Sequence, residues 1–313
     1  MSIPLRDRLR DEDAEVRRVA VLECLDSDES DVEVLLIEAL SDECADVRTE
    51  AARALEGIET AEVVQALVAA LRDGHPPTHK AAADSLAELK DAALHVYILP
   101  ATTDTSAQVR AAAFRSLRAL RVTAAFQPAY NATRDSDAAV RREAVGVLAY
   151  LKDPQALPQL KQLAVSDVDA EVRRAAVGAL GFAETAVVTQ TLVDLLGDDS
   201  WRVREEAVTT LGKLRIVAAA PGLIAALSDS YWQVRAKAAN TLGILKVREA
   251  VPALLETLTH EISNVRKEAA LALGEIADPR ASHALTRALD DSDPDVRKLA
   301  RRALGMIAAR QNE

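Results

Sequence analysis

The chain has 313 residues, 49% of them apolar but only 3% aromatic, and a formal net charge of −11. That apolar content excludes global disorder, and a core made mostly of Ala, Leu and Val suits closely packed helices better than sheets. The charge is uneven: residues 1–100 hold 10 Lys+Arg against 23 Asp+Glu, and the remainder 28 against 26. An acidic amino-terminal third repels nucleic acid and anionic membrane, and reads either as a solubilising end cap or as a docking surface for a basic partner.

The first eighteen residues lack the apolar core of a secretory signal, and Pro4 to Leu9 predicts only a truncated first helix. The two cysteines, Cys24 and Cys44, form no CxxC. That argues against a disulfide scaffold or zinc ribbon and places the chain in a reducing, cytoplasmic compartment. No run approaches about 18 uninterrupted apolar residues, so no membrane span or membrane partner is expected.

An internal period organises everything that follows. Val-Arg recurs at Val16, Val47, Val109, Val140, Val172, Val203, Val234, Val265 and Val296, with one gap at Thr78-His79. The period is 31 residues, except 32 between Val140 and Val172, so ten units fill the chain. Four residues after the Val column stands Ala in every unit, from Ala20 to Ala300. Eight after it stands Leu in nine, with Cys24 in the first. Offsets 0, 4 and 8 share one face of a helix. Each unit therefore has a second helix, B, and an Ala in every unit implies a neighbouring backbone too close for a larger side chain. A shorter pattern before it, clear in AVPALLETL (250–258), predicts helix A, with Pro221 and Pro252 near helix starts where proline is tolerated. Asp13, Ser106, Asp137, Asp169, Ser200 and Asp293 are predicted N-caps of B. Glycines after Leu in the last five units lie inside B, where close packing explains them better than a turn.

Asp stands five residues before Val in nine units, and Arg one residue after it in nine. A pair repeated in every unit cannot be an active site each time. It reads as a structural ladder in which each Arg forks onto a carboxylate of its own or the next unit.

The Asp-x5-Arg spacing, the Val-Arg pair, the Ala column and Leu-Gly, as in DDSDPDVRKLARRALG (290–305), resemble the HEAT-like repeat family, particularly the short variety found in phycobilisome lyases. The resemblance covers the full chain. It implies an all-α fold: a right-handed α-solenoid of about ten two-helix repeats of 31 residues, one domain over 1–313, its terminal repeats acting as caps. Arg301, standing where other B helices have an apolar residue, fits such a cap. Deoxyhypusine hydroxylase resembles the array too, but its iron-binding His-Glu pairs are represented only by His260-Glu261.

Function must then be sought where the pattern breaks. Helix B offsets two, six and ten after Val are expected on the exposed concave face. There Tyr150 and Phe182 stand beside Gly146 and Gly178 in units five and six. Large aromatics next to missing side chains suggest a shallow partner or ligand pocket, or else a filled seam. Trp201 and Trp232 share one column in adjacent turns, with Tyr231 beside the second. Scarce aromatics along one edge suggest a partner contact, or else inward packing. Unit three reads DGHPPTHK (73–80): Cys44, His75, His79 and Asp73 are ligand types, but about 10 Å separates the backbones of neighbouring units, and an irregular turn is the alternative. Pro100 and Thr133 weaken helix A of units four and five, and the extra residue of unit six falls between Pro158 and Asp167. No catalytic residues, metal or cofactor are assigned. The expected role is a protein-interaction scaffold, adaptor or assembly chaperone. The alternative implied by the resemblance is a phycobilin lyase-like or tetrapyrrole-handling protein using the mid-array pocket.

Overall fold

The computed structural model describes residues 4–25, 27 and 31–311, and among them are twenty α-helices and no strand. They alternate as the period requires, forming the α-solenoid. The A helices are Leu5–Arg8, Val32–Ala39, Ala61–Ala70, His95–Ile98, Phe126–Ala132, Leu157–Ser166, Thr185–Asp194, Ala220–Ala225, Val251–Thr257 and Ser282–Arg287. The B helices are Ala14–Cys24, Ala45–Ala54, Pro76–Ala87, Ala107–Leu120, Ala138–Leu151, Ala170–Ala179, Trp201–Lys213, Trp232–Ile244, Ser263–Ile276 and Pro294–Gln311. Two compact units follow the repeat boundaries: Met1–Asp153 holds repeats one to five, Pro154–Glu313 repeats six to ten.

All ten residues of the Ala column are fully buried, from Ala20 to Ala300. The column marks where helices approach closest. At Gly243 and Gly274 the approach is backbone to backbone: an added Cβ would stand 2.7 Å from Ala272 Cα and 2.9 Å from Ala303 Cα. Close packing is thus the reason for glycine at these two positions. The outward offset five residues after Val is buried from Val21 to Ala270, but its last member, Arg301, is exposed. Charge there replaces the buried apolar residue of the other repeats.

Pro100 has the expected effect: helix A of repeat four is a single turn, His95–Ile98, followed by a 3-10 segment, Leu99–Thr103. The extra residue of repeat six is absorbed in helix A. That helix stays α-helical through Ser166, whereas those of repeats eight and ten tighten into 3-10 turns at Ala226–Ser228 and Ala288–Asp290. Among the predicted caps, Asp13, Asp137, Asp169 and Asp293 accept backbone N–H bonds. Ser106 and Ser200 occupy the N-cap without such a bond. Their own N–H groups are instead bound by Asp104 and Asp198, two residues earlier.

The ladder joins neighbouring repeats. Arg204 donates from Nε and Nη2 to the two carboxylate oxygens of Asp229, at 2.6 and 2.8 Å, and from Nη1 to the carbonyls of Asp198 and Asp199 in its own repeat. Asp229 also accepts the N–H of Tyr231 at 2.8 Å. Each rung therefore ties one turn to the next and shapes both. The same fork runs from Arg17 to Asp42, Arg48 to Asp73, Arg110 to Asp135, Arg173 to Asp198 and Arg266 to Asp291, always 25 residues apart. Repeat three lacks the arginine, and Arg72 supplies it from the end of helix A, reaching Asp104 at 2.6 Å. His79, which stands in the arginine's place, contacts the Leu71 carbonyl through Nδ1 at 2.7 Å.

The forks hold Asp73 and Asp291 below the usual aspartate range, Arg48 and Arg266 being the main causes. Burial pushes Asp229 up, but the bonds from Arg204 and the Tyr231 N–H outweigh it and leave its pKa lowered. A carboxylate with a lowered folded pKa stabilises the fold fully above its unfolded value of about 4, and that stability is lost as pH falls through the folded value. Acid titration followed by circular dichroism is therefore expected to show stability falling below about pH 4. Asp229→Asn leaves Arg204 without its anion and is expected to cost about 1.5–3 kcal/mol at neutral pH in urea unfolding, with the difference from the parent shrinking in acid. Ala238→Leu forces volume into a filled seam and is expected to cost about 1–3 kcal/mol in the same measurement.

Candidate functional site

The turns that precede helix B hold the least repetitive side chains. Trp201 is the first residue of helix B in repeat seven, and Tyr231 is the N-cap of helix B in repeat eight. Tyrosine offers no side-chain cap there, so the helix forgoes a bond usually worth about 1 kcal/mol. The ring instead stacks on Trp201, with centroids 5.5 Å apart and planes inclined 17°. Arg204, already forked onto Asp229, lies with its guanidinium 5.7 Å from the Tyr231 centroid, and Arg202 lies 5.5 Å from Trp201. Arg202 is itself tied to Glu171 at 2.9 Å. That bond, against the opposing effect of burial, is the main reason the Glu171 carboxyl lies below its usual range.

Tyr231 is 46% exposed and Trp201 half-buried, so the pair presents aromatic surface beside two cations. Stacked aromatics gain energy beyond burial, and arginine over a ring adds to it. The result is a preorganised platform able to accept an apolar or aromatic side chain at little ordering cost. The shared column aligned Trp201 with Trp232, but Trp201 stacks on Tyr231, one position earlier. Trp232 is half-buried at the first position of its helix. The signal that could have found the pairing is geometric: the N-cap of one repeat lies beside the first helical residue of the previous one.

Gly146 and Tyr150 belong to the first compact unit, Gly178 and Phe182 to the second. The space at Gly146 is taken by Arg118, whose Cδ would stand 3.0 Å from an added Cβ and whose Nη1 reaches Glu143 at 3.1 Å. At Gly178 the neighbour is Glu206, with Oε1 3.1 Å from an added Cβ. Burial pushes the Glu206 carboxyl up, against the pull of Arg174, Lys237 and Lys213. Charged side chains thus lie across both glycines. Tyr150 is 48% exposed, with the Arg121 guanidinium 5.0 Å from its ring centroid, and Phe182 is half-buried in the 3-10 turn that ends its helix.

The ligand types of repeat three are engaged separately. Asp73 takes the Arg48 fork, and part-buried His75 places Nδ1 3.1 Å from Thr78 Oγ1, which is paired with Thr49 in a buried bond. Among the described residues no three His, Cys, Asp or Glu side chains gather as a metal would require. Open concavities occur beside Pro76, Lys80 and Asp84 (about 550 Å³) and beside His260, Arg266 and Arg287 (about 530 Å³). No helix among the described residues is long and apolar enough to cross a membrane.

A family model described as HEAT repeats matches residues 3–87, 96–181, 160–227 and 220–305. No curated protein matches the chain at a significant level. Among solved structures, an engineered protein aligns over 97% of this chain and 98% of its own, at 22% identity and a TM-score of 0.51. Yeast importin-β, Kap95p, aligns over 97% of this chain at 16% identity and a TM-score of 0.66, and importin-β in its complex with Nup1 gives the same values. The chain spans about half the length of importin-β, with 50% of that protein covered. At these identities the likeness is one of fold.

The stack is directly testable. In a Trp232→Phe background, Tyr231→Ala is expected to uncover one face of Trp201 and shift its emission to longer wavelength, while far-ultraviolet circular dichroism stays unchanged. An unshifted spectrum would mean that the rings do not stack in solution.

Proposed function

Because the chain belongs to the HEAT-repeat family, a repeat architecture suited to displaying extended binding surfaces, we propose that it is a non-catalytic scaffold that engages a protein partner along the edge formed by the turns before helix B. The observation that carries this reading is the Trp201–Tyr231 stack with Arg202 and Arg204. Trp, Tyr and Arg are the residues most enriched at binding hot spots. Here they are held by the ladder rather than by a mobile loop, so little conformational entropy is lost on binding. Yeast importin-β in its complex with Nup1 is a HEAT-like array with a protein partner, which supports the same use of this architecture. Tyr150 and Phe182 remain a second candidate contact in this proposal. A cytoplasmic setting accords with Cys24 and Cys44 forming no disulfide.

The lyase-like alternative rests on a hollow beside Gly146 and Gly178, where Arg118 and Glu206 now stand, so the geometry favours the scaffold. The experiment is affinity capture from native lysate with mass spectrometry, followed by binding measurements on the purified partner. Trp201→Ala/Tyr231→Ala is expected to weaken binding at least tenfold while the helical circular dichroism spectrum is retained. Equal loss from Tyr150→Ala/Phe182→Ala alone would move the contact to mid-array. Retention of a tetrapyrrole with a shifted absorption band, and no stoichiometric protein, would overturn the scaffold reading.

A further inference from the structure

One rung of the ladder is open. Twenty-five residues beyond Arg235, where the forks described above find a carboxylate, stands His260. His260 reproduces half of the missing aspartate: its Nδ1 accepts the Ile262 N–H at 3.0 Å, as ladder aspartates do two residues on. Its backbone is also held normally, the carbonyl accepting from Arg266 Nη1 at 2.8 Å. The other half is lost. A neutral histidine accepting at Nδ1 carries its proton on Nε2, so a donor stands in the register position where acceptors belong.

The consequence is visible in the polar accounting. Among the described residues, two buried side-chain polar atoms lack any partner, Arg235 Nε and Gln233 Oε1. Both lie in the first turn of the same helix. Buried polar atoms are rarely left unpaired, and a charged one is the costliest to leave so. The contrast with repeat three is informative. There the arginine is missing and Arg72 replaces it. Here the acid is missing and, among the described residues, no side chain takes its place. Asp229 cannot serve, because Arg204 holds both its oxygens. Nor does the junction depend on the rung for cohesion, since Gly243 lets the helix B backbones of repeats eight and nine meet.

We propose that the open rung at Arg235 and His260 is a carboxylate-binding site, filled by a free carboxylate or by the acidic side chain of a polypeptide. An unpartnered guanidinium Nε–H, in register with a second N–H donor, is complementary to one planar anion with two acceptor oxygens, the group that every closed rung contains. The site lies on the same turn edge as Tyr231, and it stands whether or not the Trp201–Tyr231 stack engages a partner.

The test follows the Arg235 Nε–Hε signal by NMR in the full chain, assigned by its loss in Arg235→Lys. Acetate, N-acetyl-Gly-Asp-Gly-amide and its Asn counterpart are titrated in turn. A saturable downfield shift is expected with acetate and with the Asp peptide, and none with the Asn peptide. An Asp peptide at least tenfold tighter than acetate identifies the acidic residue of a polypeptide as the source, and equal affinity identifies a free carboxylate. His260→Asp closes the rung from within, so its Nε–Hε signal is expected to move to the position of the forked arginines and to ignore all three probes. The proposal is overturned if the parent shows no saturable shift, if His260→Asp responds as the parent does, or if inorganic phosphate binds more tightly than either carboxylate. It is equally overturned if only Glu261→Gln responds, because Glu261 would then fill the rung itself.

Discussion

The guanidinium–carboxylate fork between successive turns is the interaction on which this structure depends. Two helices per repeat can bury an apolar stripe against their neighbours in more than one register, since Ala, Val and Leu faces slide easily past each other. A planar fork cannot slide. Four of its donors are shared between a carboxylate in the next repeat and two carbonyls in its own, so a shift of one residue between repeats would break both carboxylate bonds at once. The side chains involved are little exposed, about 10% for both Arg204 and Asp229, and their pairing is correspondingly weakly screened.

That same fork orders the surface. Asp229 fixes the Tyr231 backbone, and Arg204 lies against its ring, so the Trp201–Tyr231 pair is anchored by structural parts. The proposed contact and the framework therefore share residues here. A substitution in the ladder changes the presentation of Trp201 and Tyr231 as well as the stability of the array.

Much of this was legible in the sequence, because the period repeats one physical solution ten times. The Ala column, the fork, the interruption at Pro100 and the charged Arg301 all follow from positions that recur or fail to recur. The remainder involves residues outside the period. Arg72 reaches Asp104 across 32 residues, from the end of an A helix where no column pointed. Trp201 meets Tyr231 rather than the Trp232 that shares its column. Arg118 and Glu206 lie across Gly146 and Gly178, because an exposed helical glycine is readily covered by a long neighbour. A column states which residues are equivalent. It does not state which non-equivalent residues touch.

The interlock at Gly243 makes a joint unlike its neighbour. Where Arg204 and Asp229 join repeats seven and eight, cohesion is partly ionic, and added salt or acid weakens it. Where the Gly243 and Ala272 backbones join repeats eight and nine, close apolar contact is joined by one amide–carboxylate bond, Asn240 to Glu268, with no guanidinium fork among the described residues. Neighbouring joints of one regular array thus differ in their polar ties. Apolar packing holds both, but only the first adds a fork that acid can dissolve.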